Sequence, residues 1–304
     1  MGETTRPPGR ATVGFVGLGV MGLPMARNLV RAGFPVRAFD VRDQPVRDLA
    51  GDGAVGVGSC AEAAHGSDVV LVSLPDSPQV ESAVLGPGGV AEGARPGTVV
   101  VDLSTIGVTV TRRIAETLSD RGVAYLDAPV SGGQRGALQG ALSIMVGGPA
   151  EAFARAQPVL RVLGATVTHV GGCGTGQVFK LCNQVVCALN IQALCEAFAL
   201  GRAAGADLAL LREALSGGAA GSWMLDNLGP QMIEGDASAG FSIQLQLKDL
   251  RLALEAAFEA GVPLPGAAQA MALYLEARAH GEDANGNQAL FRVYDRLTGQ
   301  ARDG

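Results

Sequence analysis

Apolar and polar positions along this chain follow two rhythms. Up to about residue 170, short and nearly unbroken apolar runs recur: residues 12–17 (TVGFVG), 34–39, 68–74 (DVVLVSL), 98–103 (TVVVDL) and 123–127. Runs of this length, rich in Val and apolar at successive positions, read as strands buried on both faces. Helix-like stretches lie between them at 23–32 and near 79–85, and two more strand-like runs follow at 142–146 and 166–170. Alternation of this kind predicts a mostly parallel sheet with helices on its faces. After Gly171 the strand signal vanishes. Helical periodicity covers 174–204, 207–216, 222–234, 246–260, 266–280 and 286–298, with breaks at Gly217-Gly218, Gly221, Gly235, the 261–265 segment and Gly281. The expected organisation is a polar, disordered tail at 1–11, an α/β domain at 12–171 and an all-α domain at 172–304. The helix expected at 174–204 joins the two.

The first strand-to-helix turn carries chemistry. Gly17, Gly19 and Gly22 form a Gly-x-Gly-x-x-Gly spacing, with Val20 and Met21 inside it. The three glycines serve three needs, namely a tight turn, close approach of backbone to a pyrophosphate, and close packing of helix on strand. The helix N-terminus then faces the phosphates. The second strand ends in Asp40, 18 residues beyond Gly22, where a ribose 2′-hydroxyl acceptor is expected. The first domain therefore reads as a doubly wound, Rossmann-type dinucleotide site. Asp40 favours NAD, because its charge repels a 2′-phosphate. Arg42, two residues on, suits that phosphate, so NADP stays open. Ligands of open α/β sheets sit beyond the carboxyl ends of strands, which makes Leu74-Pro75, Ser104-Thr105 and Ser131-Gly132-Gly133 the candidate site loops.

Composition narrows the classes. The net charge of −6 and 4% aromatic content provide neither the basic footprint nor the stacking surface of a nucleic-acid binder. The five cysteines show no CxxC spacing and no paired histidines, so neither a disulfide framework nor a metal site is expected. Four of them cluster around the long helix and read as small buried thiols in a reducing cytoplasm. His65, His169 and His280 have no catalytic context. The apolar stretch after Lys180 is interrupted by Asn183, Gln184, Asn190 and Gln192, and no membrane span is read there.

Of the 23 basic residues only two are lysines, Lys180 and Lys248. Unlike arginine, a desolvated lysine can give up its proton. A genome that replaces lysine by arginine leaves the same pattern, so the count alone does not choose. Position adds to it: Lys180, Asn183 and Gln184 stand at i, i+3 and i+4, one face of an otherwise apolar helix.

Four motifs now stand in order: GLGVMGLPMARNL at 17–29, DAPVSGG at 127–133 with GALQGALSIMVGG at 136–148, GTGQVFKLCNQ at 174–184 and KDLRLAL at 248–254. Together they make residues 12–300 resemble the β-hydroxyacid dehydrogenase family, which includes 3-hydroxyisobutyrate dehydrogenase and 2-hydroxy-3-oxopropionate reductase. The resemblance implies hydride transfer between NAD(P) and the β-carbon of a small 3-hydroxy acid or the matching semialdehyde. Lys180 matches the family's catalytic lysine, the general acid/base. Ser131, Gly132 and Gly133 match the loop that holds the substrate carboxylate. Asn183 and Gln184 match positions near the substrate, and the Asn-Gln pair is closer to the 2-hydroxy-3-oxopropionate reductase pattern. Leu74, Pro75 and Thr105 match the nicotinamide side, with Val20 and Met21 in the cofactor motif. Lys248 corresponds to a lysine near both cofactor and substrate; the bland reading is a surface lysine paired with Asp249 or Glu255. Ser222, Trp223 and Phe241 are candidates to shape the substrate pocket.

Competing readings include succinic semialdehyde or a β-hydroxy amino acid as substrate. A 6-phosphogluconate dehydrogenase has a longer helical domain, and an imine reductase has another residue at the Lys180 position. A non-catalytic NAD(P)-binding scaffold is disfavoured by Lys180, Ser131 and the complete glycine motif. The apolar helical domain leads to the expectation of a homodimer or homotetramer.

Overall fold

The computed structural model describes residues 10–299. Residues 1–9 of the expected disordered tail, and residues 300–304, lie outside that range. The chain divides into two compact units, one running through Lys180 and the other beginning at Leu181.

The first unit is built on a sheet whose strands are β1 Val13–Val16, β2 Val36–Phe39, β3 Val55–Gly56, β4 Val69–Val72, β5 Val99–Asp102, β6 Ala124–Asp127, β7 Val130–Ser131, β8 Leu142–Gly147 and β9 Gly164–Gly171. Their order is β3-β2-β1-β4-β5-β6-β8-β7, with β9 also on β8. Strands β1 to β6 are mutually parallel, β8 runs antiparallel to β6 and β7, and β9 is parallel to β8. The chain leaves β1 first toward β2 and β3, then returns to place β4 on its other side. That reversal opens the crevice typical of doubly wound sheets.

The continuous apolar runs are explained by the two faces they serve. Val69 and Leu71 of β4 pack with Val13, Phe15, Met25 and Leu29 on one side. Val70 and Val72 pack with Val16, Ala63, Ile114 and Tyr125 on the other. Alternate side chains point oppositely, so a strand covered twice must be apolar at every position. The crossovers contain helices that the strand pattern did not delimit, Asp43–Gly51, Cys60–Ala64, Val108–Ser119, Gly133–Gln139 and Ala150–Leu163 among them.

The second unit is helical. The long helix Thr175–Ala203 crosses the division, and Ala188, Ile191, Leu194, Cys195 and Phe198 on its inner face pack with Leu225, Ile243, Leu250, Tyr274 and Phe291. By length and composition alone this helix could cross a membrane, but that buried face makes it the core helix of a globular unit. Two expected helices are subdivided. The 222–234 stretch becomes Trp223–Asn227 and Gly229–Glu234, because Pro230 lacks an N–H and starts a helix afresh. The 286–298 stretch begins as a tight 3-10 turn at Asn287–Leu290 before Phe291–Leu297. Of the four thiols expected to be buried around the long helix, Cys195 is buried, Cys173 and Cys187 are half-buried, and Cys182 is exposed on the helix's outer face.

Candidate active site

The glycine turn after β1 has the geometry its spacing implied. Gly17 has φ +92°, and a Cβ there would overlap the Ser73 carbonyl. At Gly22, the first residue of helix Gly22–Arg31, a Cβ would overlap the Gly17 carbonyl oxygen, so helix and turn touch backbone to backbone. Gly19 is different: a Cβ would meet nothing within 4 Å, so the backbone there faces open space. Val20 is exposed, and Met21 is half-buried against the core beneath the sheet.

Asp40 follows β2 and turns back toward this loop. Its Oδ2 accepts the Leu18 N–H at 2.7 Å, and its Oδ1 accepts the Arg42 N–H and Nε, each at 2.9 Å. Burial works to raise its pKa, but the Arg42 guanidinium and the two backbone donors outweigh it and hold the carboxyl below its usual range. Arg42 also donates to the Leu18 carbonyl at 3.2 Å, while its side chain stays 59% exposed. An open backbone at Gly19, a helix N-terminus and a fixed carboxylate fit a dinucleotide's pyrophosphate and ribose.

The loops after β4, β5 and β7 come next. Leu74 is half-buried and Pro75 exposed. The Leu74 N–H donates to Ser104 Oγ at 2.9 Å, which ties the β4 loop to the β5 loop carrying the half-buried Thr105. Beneath them Asp102, fully buried, accepts the Ser104 N–H and the Tyr125 hydroxyl, each at 2.9 Å. Burial pushes the Asp102 carboxyl up to about 6 against those two donors. Ser131 ends β7, held by β8, and Gly132 and Gly133 follow with φ +129° and +61°. That turn needs glycine twice, and it leads into helix Gly133–Gln139.

The start of the long helix is capped from another strand. Asp127, the last residue of β6, accepts the Gly174 N–H on Oδ1 at 2.8 Å and the Gln177 N–H on Oδ2 at 2.9 Å. It thereby satisfies donors that a helix N-terminus otherwise leaves orphaned. A Cβ at Gly147 would lie 2.6 Å from Asp127 Oδ1, and one at Gly176 2.5 Å from the Asp127 and Met145 carbonyls. The first helical turn thus sits directly on β6 and β8. One turn later stands Lys180, 5% exposed.

Of the residues from Leu181 onward, Gln184 is buried and Asn183 half-buried. Gln184 Nε2 donates to Asp249 Oδ2 at 2.6 Å, and Lys248 Nζ lies 3.1 Å from Asp249 Oδ1. Lys248 is therefore paired with Asp249, but not on the surface: the two side chains are 14% and 2% exposed. Asn183 Nδ2 donates to Gln184 Oε1 at 2.8 Å. Ser222 caps helix Trp223–Asn227 by accepting the Leu225 N–H, Trp223 is exposed and Phe241 is half-buried. The histidines have structural or surface places: His65 is exposed, the His169 ring stacks on Phe153, and His280 Nδ1 lies 3.0 Å from the Glu276 carbonyl.

From the sequence alone Asp127, Gln177 and Asp102 carry no legible role, and Asp249 reads only as a surface partner for Lys248. The signal for Gln177 was available. It stands three residues before Lys180 and shares its helix face.

This geometry fits a dinucleotide-dependent oxidoreductase. Residues 12–171 match the family described as the NAD-binding domain of 6-phosphogluconate dehydrogenase, and residues 174–294 match that described as NAD-binding of NADP-dependent 3-hydroxyisobutyrate dehydrogenase. The 2-hydroxy-3-oxopropionate reductase of Escherichia coli is 41% identical over 93% of this chain and 97% of its own. The 3-hydroxyisobutyrate dehydrogenase of Pseudomonas aeruginosa is 40% identical over 93% and 99%. Among solved structures, the Mycobacterium tuberculosis 3-hydroxyisobutyrate dehydrogenase with L-serine superposes with a TM-score of 0.87 at 34% identity, covering 93% of this chain and 98% of that one. The chain belongs to the β-hydroxyacid dehydrogenase family and is an NAD(P)-dependent oxidoreductase.

Proposed function

We propose that the chain interconverts a small 3-hydroxy acid and its semialdehyde, with NAD as the preferred dinucleotide and Lys180 as the general acid/base. The observation that carries this reading is Lys180 itself: a buried lysine on a helix whose first turn is pinned to the carboxyl end of β6. When bound, a nicotinamide dinucleotide would supply the hydride acceptor for the alcohol carbon, or the hydride donor for the aldehyde. The residues that would hold the dinucleotide are Gly17, Gly19, Val20, Met21 and Gly22 at the pyrophosphate, Asp40 at the ribose, and Leu74, Pro75 and Thr105 beside the nicotinamide.

The protein's own contribution is binding, orientation and proton transfer. Ser131 offers a hydroxyl, and the Gly132-Gly133 turn offers backbone N–H groups, to a substrate carboxylate. The Lys180 amine takes the hydroxyl proton on oxidation and returns it on reduction, and as an ammonium it stabilises alkoxide charge in the transition state. Asn183 and Gln184, one turn on, orient the substrate. Lys248 is linked to Gln184 through their shared partner Asp249, which supports a place for it beside the same groups.

The substrates favoured are 2-hydroxy-3-oxopropionate/D-glycerate and 3-hydroxyisobutyrate, with L-serine and 4-hydroxybutyrate as comparators. NAD over NADP rests on the Asp40 carboxylate being fixed in place by Leu18 and Arg42. The five free thiols suit a reducing, cytoplasmic setting. Assembly into a homodimer or homotetramer is supported by an apolar stripe on the outer face of the long helix: Phe179, Cys182, Val186, Ala193 and Leu200 are all exposed and share one side.

The test is a panel of these acids with NAD and NADP separately, followed by absorbance of the reduced nicotinamide. Lys180→Ala is expected to lower kcat about 10²- to 10⁴-fold on the best substrate while dinucleotide affinity holds. A Lys180→Ala kcat within about tenfold of wild type refutes the acid/base assignment.

A further inference from the structure

The long helix carries another buried polar residue on the Lys180 stripe. Gln177, one turn nearer the N-terminus, is fully buried. Its side-chain amide spans a loop: Nε2 donates to the Ser104 carbonyl at 2.9 Å, and Oε1 accepts the Ile106 N–H at 3.2 Å. Its backbone N–H is held by Asp127 at 2.9 Å. Ser104, in turn, is held by the Leu74 N–H on its hydroxyl and by Asp102 on its N–H. One hydrogen-bonded chain therefore runs from the β4 loop through the β5 loop and Gln177 to the first turn of the helix. Its two loops carry Leu74 and Thr105.

Filling a core does not require this arrangement. A leucine occupies similar volume without the cost of desolvating an amide. What a two-ended amide adds is directionality, because donor and acceptor must both find their partners. That sets the spacing between the β5 loop and the helix.

We propose that Gln177 is a positioning residue for hydride transfer: it fixes the helix bearing Lys180 against the 104–106 loop, so that the amine and the nicotinamide meet the same substrate carbon–oxygen bond. The proposal rests on the acid/base reading of Lys180. Gln177 itself touches neither proton nor hydride in this scheme. Its effect belongs in kcat, where small misplacements of reacting groups are costly.

Gln177→Leu and Gln177→Glu test it, with Lys180→Ala run beside them. Gln177→Leu is expected to lower kcat about 100-fold, with KM and the affinity for reduced dinucleotide, read by its fluorescence, changing less than about threefold. Gln177→Glu adds a readout that simple packing does not move. In its acid form the introduced carboxyl can donate to the Ser104 carbonyl and accept from Ile106, as the amide does. As a carboxylate it sets a charge against that carbonyl. Its kcat relative to wild type should therefore recover at least about tenfold as pH falls from 8.5 to 6, with Gln177→Leu flat over the same range. Thermal melting at each pH ensures that folded protein is compared. If Gln177→Leu does not fold, the pH dependence of Gln177→Glu decides alone. Wild-type kcat in the Gln177 variants, a loss confined to KM, or a pH-independent loss in Gln177→Glu overturns the positioning role. Should Lys180→Ala show the expected loss while the Gln177 variants match wild type, only this inference falls. Near wild-type kcat in Lys180→Ala instead removes the reading beneath it.

Discussion

At the scale of single residues, the buried acids are the most sensitive points. Asp102 is folded into a place where its proton is held more tightly than in the unfolded chain, with its carboxyl pushed up to about 6 from an ordinary value near 4. The native state therefore binds more protons between those values, and stability is lost as pH rises through the window. Asp102→Asn keeps an acceptor for the Ser104 N–H and turns a donor toward the Tyr125 oxygen. Near pH 4 the variant should match wild type. By pH 7.5 it should be the more stable by about 3 kcal/mol, visible as melting curves that diverge with pH; parallel curves would show that the carboxyl titrates normally. Asp40 sits in the opposite regime, ionised and engaged. Asp40→Ala releases Arg42 from it, so kcat/KM should fall about ten- to a hundredfold with NAD and rise with NADP. Unchanged preference would move cofactor choice elsewhere. Asp40 was legible in the sequence because it ends a strand at a fixed distance from the glycines. Asp102 also ends a strand, but nothing in the sequence marks its oxygens as turned inward to Ser104 and Tyr125.

At the scale of elements, the glycine turn separates space needed by the fold from space left for a ligand. Gly22→Ala drives a methyl into the Gly17 carbonyl and should cost at least about 3 kcal/mol. Gly19→Ala places its methyl where nothing in the protein stands, so stability should change by less than about 0.5 kcal/mol while dinucleotide binding weakens. Melting temperature and dinucleotide titration on both variants check the pair; equal destabilisation would show that both glycines serve packing alone. The strands could be read because twice-covered parallel strands are apolar at every position. The crossover helices were harder. Their faces are partly covered and their hydrophobic spacing is diluted by polar residues, as in Asp43–Gly51, where only Leu49 is buried. The Asp127 cap was hidden for another reason: it joins residues 47 apart in sequence, so no local pattern announces it.

At the scale of the whole molecule, the sequence rhythm changes at Gly171, whereas compactness divides the chain after Lys180. The difference arises because the long helix begins on the sheet's β6 and β8 and only later enters the helical core. The exposed stripe on its outer face makes a prediction about assembly. Wild type should scatter light as a dimer or larger, and Val186→Glu combined with Leu200→Glu should lower the mass toward one chain. A wild-type monomer at micromolar concentration would refute it. The continuity of that helix has one more consequence. Gln177, Lys180 and Gln184 owe their mutual placement to counting along an unbroken spiral. Each residue inserted among them turns all that follows by about 100° and advances it by about 1.5 Å. An added seven-residue block would bring the faces back within about 20° but carry Gln184 some ~10 Å away. Whatever letters change between these three positions, their number is fixed.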